Sequence, residues 1–73
     1  MSERMVFNYS KLRGRMVEVY GTIGKTAEAA EIRRDMLSQA LNGSRAFTPT
    51  EISRLARVLD IPAEEIGAYF FTV

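Results

Sequence analysis

The residues that combine a useful chemistry with a useful spacing lie in one short stretch, Arg33-Arg34-Asp35-Met36-Leu37-Ser38-Gln39, followed by Asn42, Ser44 and Arg45. On a helix, Leu37 and Leu41 seat one side against a core. Arg34, Asp35, Ser38, Gln39 and Asn42 then fall on the outer side. Arginine and glutamine are the side chains that bond bidentately to guanine and adenine edges. Ser38 is small enough for close approach. Asn42, Ser44 and Arg45 follow at the helix end, placed to bind phosphate. Asp35 can cap the helix or steer Arg34, or it can accept from cytosine N4. Met36 is expected to pack in part, with a contact to a thymine methyl as the alternative. The alternative to this contact surface is an ordinary solvated face.

Bond-making chemistry has far less to work with. The chain has no cysteine and no histidine. That excludes thiolate or imidazole zinc sites and Cys/His or Ser/His pairs. Glu64-Glu65 is the one tempting carboxylate pair, and it has no partner type beside it. Gly21-Thr22-Ile23-Gly24-Lys25 is too short for a phosphate loop and follows no strand. The expectation is a non-enzyme with no metal, no cofactor and no small-molecule ligand.

Charge points the same way. The net charge is only +1, but all ten Lys/Arg lie before residue 58. The last sixteen residues carry Asp60, Glu64 and Glu65 and no base. Arg4, Lys11, Arg13 and Arg15 occur with no acid between them. A polyanionic partner is therefore plausible on one side of the molecule, although Lys11, Arg13 and Arg15 read better as solvated charges.

The elements that must position these residues are short helices. Seventy-three residues make one domain, and an apolar fraction of 47% with 26% charged is that of a globular protein. Asn8 caps a helix over about 8–20, with Leu12, Met16, Val19 and Tyr20 as its apolar stripe, Gly14 as a weak point and Gly21 as its stop. Thr22 caps a two-turn helix to about Ala30. Glu31-Ile32 interrupts, and a helix over 33–41 ends at Asn42-Gly43-Ser44. Thr48-Pro49-Thr50-Glu51 is a capping box that opens a helix over 49–59. A fifth covers 63–68, and Tyr69–Val73 follows as a strand or ordered tail. Tyr9 and Tyr20 are expected at the core or its rim, and Phe47 between loop and core. The fold class is all-α, five short helices, with a possible small β-arm from Met5-Val6-Phe7 and the tail.

Residues 22–43 have the plan of a helix-turn-helix. Ala27 allows close crossing, Ile32 plugs the turn, and Leu37 and Leu41 seat the second helix. The run resembles the phage repressor and Cro-like family of DNA-binding proteins. The likeness covers about residues 8–67. Its most specific pieces are Thr22, Ala27, Ile32, Leu37, Leu41-Asn42-Gly43 and Leu59-Asp60-Ile61-Pro62. It implies a small transcriptional regulator that binds a double-stranded DNA operator, with the second helix in the major groove. By position, Arg33, Arg34, Asp35, Ser38 and Gln39 would contact bases, and Thr22, Lys25, Asn42 and Arg45 would contact phosphates. Three positions depart from the family pattern. Ile23 stands for a glutamine, Glu31 for the turn glycine, and Arg33 for a serine before the second helix. The same fold serving as a protein-interaction or antitoxin-type module is the alternative.

The tail is the other informative feature. Ile66, Tyr69, Phe70, Phe71 and Val73 concentrate apolar surface in a chain with little core to cover it. They are the expected surface of a weak homodimer, since readers of this kind commonly bind two half-sites. Nothing resembles a secretory signal or a membrane span, so the expected location is the cytoplasm.

Overall fold

The computed structural model describes residues 8–71. Met5-Val6-Phe7 and Val73 lie outside them, and with them the expected β-arm. Among the described residues there are five α-helices and no strand. They are α1 (Ser10–Tyr20), α2 (Ile23–Ala30), α3 (Arg34–Leu41), α4 (Pro49–Val58) and α5 (Ile66–Phe70), with a single 3-10 turn at Ala63–Glu65 before α5.

Two helices, α2 and α4, begin where a threonine side chain takes up a free backbone N–H. The N-cap position of α1 is Tyr9 rather than the expected Asn8, and it makes no side-chain cap bond; Asn8 lies one residue earlier, where its Oδ1 accepts from Ser10 N at 2.8 Å. Thr22 Oγ1 accepts from Lys25 N at 3.1 Å. The Thr48 capping box closes in both directions, at 3.2 Å and 3.0 Å. The segment expected at 63–68 is instead the 3-10 turn followed by α5, and Tyr69-Phe70 is helical rather than extended.

The ends of α2, α3 and α4 share one device. Gly43 at φ 83° follows α3; its N–H donates to Ala40 O, and Ser44 N donates to Gln39 O. The same pair of bonds closes α2 through Glu31 and Ile32, and α4 through Asp60 and Ile61. These are Schellman ends, which need a left-handed residue. Two of the three are built without glycine, on Glu31 at φ 59° and Asp60 at φ 55°. The residue after each is apolar and buried: Ile32 is 9% exposed and Ile61 6%. Burying that side chain offsets the left-handed cost, roughly 1–2 kcal/mol for a non-glycine residue.

The core is the set these elements converge on. Leu12 and Met16 of α1, Leu37 and Ala40 of α3, and Leu55 of α4 are fully buried. Ala27 of α2 is buried among them, as its small size required. Thr26 is also buried, a polar core residue the sequence pattern does not reveal; its hydroxyl donates to Thr22 O at 3.0 Å. Val19 departs from the expected stripe and is 41% exposed. The last turn of α1 meets the core through Tyr20 instead, whose hydroxyl donates to Val58 O at 3.0 Å. Phe47 makes edge-to-face contacts with Tyr9 and with Phe70, both with centroids 5.3 Å apart. That stack joins the start of α1, the α3–α4 loop and α5, worth roughly 0.5–1.5 kcal/mol per pair beyond area burial.

The Glu31 turn can be tested directly. Glu31→Gly should raise stability by roughly 0.5–1 kcal/mol, because glycine adopts this conformation without strain. Glu31→Val should lower it by at least as much. Chemical denaturation of the three proteins measures the order, and equal midpoints would show that the turn carries no strain.

Candidate functional site

Arg33, Arg34, Asp35, Ser38 and Gln39 do come together. They line one open groove of about 720 Å³ along the outer side of α3. Leu37, Ala40 and Leu41 on its opposite side are buried, which fixes the rotation of the helix. Arg33 lies just before α3 in extended conformation, so helical geometry does not govern its side chain. That side chain is 78% exposed and pairs with Asp35 at 2.9 Å. The expected steering of Arg34 by Asp35 is corrected here: the observed partner is Arg33. Arg34 lies across Gly24, where a Cβ would sit 3.6 Å from its Nε.

The expected phosphate residues divide. Thr22 and Lys25 stand at the start of α2 and line a second groove with Arg34. Asn42 is exposed at the end of α3. Its Oδ1 accepts from Arg13 Nη2 at 3.2 Å, and the same nitrogen donates to Leu41 O at 3.1 Å. Ser44 is exposed in the turn that follows.

Arg45 is a correction. It makes a bidentate pair with Glu51, at 2.9 Å and 2.7 Å, and donates to Met36 O at 2.8 Å and to Ala46 O at 3.0 Å. Both side chains are largely buried, 19% and 14% exposed. Arg45 Nε is buried with no hydrogen-bond partner among the described residues. The guanidinium is therefore committed to the α3–α4 loop rather than offered to an outside anion. The sequence carried a hint in Glu51, which already had to reach back to Thr48 and so faced this loop.

Other cations are also placed by the fold. Arg15 Nε donates to Leu59 O at 2.9 Å, and Arg54 Nη1 donates to Glu31 O at 3.2 Å. With Arg13, they satisfy carbonyls at the ends of α2, α3 and α4, where a cation also suits the helix dipole. Lys11 Nζ sits 4.7 Å above the Tyr69 ring. Reading Arg13 and Arg15 as simply solvated missed this, because the acceptors are backbone atoms 28 and 44 residues away.

The expected dimer residues are also separated. Phe70 is 1% exposed and belongs to the core, which corrects its assignment to an outer surface. Ile66 and Tyr69 are half-buried against that core. Phe71 is 54% exposed. Val73 lies outside the described residues.

Comparison with known proteins adds the relationship. A family model described as a protein of unknown function, DUF739, matches residues 5–73. The chain belongs to the DUF739 family. It is also similar to the solution structure of the modulator of repression of the temperate bacteriophage TP901-1 from Lactococcus lactis. That similarity has a TM-score of 0.79 and 31% identity, and covers 92% of this chain and 90% of the other. No curated protein matches. The all-helical fold agrees with that phage protein. Among the described residues, no helix is long and apolar enough to cross a membrane.

The Arg45–Glu51 pair yields a pH prediction. The Arg45 guanidinium holds the Glu51 carboxyl below the usual glutamate range, with the Thr48 N–H adding to the effect. A lowered folded pKa contributes stability that is present above the ordinary value of about 4.3 and lost as pH falls through the folded value. Glu51→Gln should therefore be less stable than the native protein by roughly 2 kcal/mol at pH 7. The gap should close as the pH is lowered from 5 toward 2. Denaturation curves at a series of pH values check this, and a gap that stays constant would mean the pair is not the source.

Proposed function

We propose that this chain is a small regulatory protein of phage type that binds double-stranded DNA, with α3 in the major groove. The observation that carries the reading is the outer face of α3. Arg34, Ser38 and Gln39 share an exposed groove with Arg33 and Asp35, set by a buried seam on the other side of the same helix. Ala27, Ile32, Leu37 and Leu41 hold that helix against α2 in the manner of a helix-turn-helix. Arg34 and Gln39 supply the bidentate contacts, and Thr22 and Lys25 at the start of α2 flank them toward the backbone. Binding at an operator would act by occlusion, with no catalytic step.

Selection from random duplex DNA at a stated salt concentration tests this. Arg34→Ala and Gln39→Ala should each weaken specific binding by roughly 1–3 kcal/mol and relax the preference at one base pair. Native affinity and an unchanged selected sequence in both variants would remove α3 as the reader.

A second reading rests on the pairing of Arg33 with Asp35. That pair neutralises one of the two leading cations and leaves an acid in the middle of the face, a mixed pattern that suits a protein surface better than a phosphate backbone. The similar phage protein is described as a modulator of repression, so the partner under this reading is another regulator. Binding of a purified repressor that is little changed by salt, with no retention of duplex DNA, would favour it.

The DNA reading includes a weak homodimer on two half-sites. With Phe70 in the core, Phe71 is the aromatic that carries the contact. Sedimentation of the native chain at high concentration should show dimer, and Phe71→Ser should reduce it. A native chain that stays monomeric both free and on DNA would overturn this part.

A further inference from the structure

We propose that Arg13, from α1, grips a DNA backbone phosphate at the end of α3, the place that sequence reasoning gives to Arg45. The proposal deepens the DNA-binding reading and rests on it. A cleft of about 330 Å³ opens between α1, α2 and α3, lined by Arg13, Ile23, Arg34, Ser38, Leu41 and Asn42. It contains two arginines and no acid. It adjoins the groove along α3, since Arg34 and Ser38 line both.

Arg13 is held in place from behind. Its Nη2 donates to Leu41 O and to Asn42 Oδ1, which fixes the plane of the guanidinium against the end of α3. The other nitrogens remain as donors in a rigid fork, the geometry that suits phosphate oxygens. Asn42 accepts with its oxygen, so its amide NH₂ is also available to donate into the cleft. Ile23 and Leu41 give the cleft an apolar wall, suited to a deoxyribose beside the phosphate. Arg45 cannot fill this role while Glu51 holds it in a bidentate pair.

The salt dependence of binding separates the possibilities. The probe is a mixed-sequence 20-base-pair duplex, followed by fluorescence anisotropy over a range of salt. Losing one phosphate contact lowers the slope of log K against log salt by about 0.9. Arg13→Gln should show that loss, Arg13→Lys should retain the native slope, and Arg45→Ala should leave it unchanged. Circular dichroism reports whether each variant is folded. Should Arg13→Gln unfold, the native protein still decides the matter through the Arg13 Nε–Hε resonance. It should shift on adding the duplex, together with the Asn42 side-chain amide. An unchanged slope in folded Arg13→Gln, or an unmoved Arg13 resonance, overturns the proposal and leaves the DNA reading intact. A native protein that fails to bind the duplex even at low salt overturns both.

Discussion

The left-handed turn at Glu31 is the constraint from which the arrangement follows. Two backbone bonds close α2 there, Glu31 N to Glu28 O and Ile32 N to Ala27 O. They fix the direction in which the chain leaves, and the buried Ile32 prevents it from choosing another. Arg54 holds the Glu31 carbonyl from α4. Only after this turn can Leu37 and Leu41 reach the core, and only then do Arg34, Ser38 and Gln39 face outward. The conformation is one glycine would adopt more easily. Its persistence in a glutamate reflects how completely the neighbouring contacts determine it.

Six of the described arginines are divided between two tasks. Arg13, Arg15 and Arg54 each donate to a backbone carbonyl at or just beyond the end of a helix they do not belong to. Arg45 ties the α3–α4 loop to the first turn of α4. In a chain of 73 residues with a small core, such cross-helix bonds supply order that apolar burial alone gives only in part. Arg33 and Arg34 remain on the surface, and Arg33 is answered by Asp35. The cationic character of the candidate site is thus narrower than the composition suggests. It centres on Arg34, Lys25 and the outward side of Arg13.

Local chemistry made much of the fold legible. The capping box at Thr48, the threonine cap at Thr22 and the glycine stops at Gly21 and Gly43 depend on neighbours within a few residues, so they can be read in order along the chain. The spacing of Leu37 and Leu41 determined which side of α3 would be outward, and the candidate site was legible for that reason. The same logic failed wherever a partner was distant. By composition Phe70 is surplus apolar surface, but Phe47 meets it from the loop. By sequence Arg45 is a free cation, but the start of α4 brings Glu51 to it.

The sequence by itself thus determined where α2 and α4 begin, where α1, α2 and α3 end, and which faces of α3 and α4 are apolar, because these follow from periodicity and from hydrogen bonds to near neighbours. Only the tertiary structure decided which charges are free. An arginine carries the same charge whether it meets solvent, a carboxylate six residues away or a carbonyl 44 residues away. The distances that distinguish these fates are set by how the helices cross, and no local pattern encodes them.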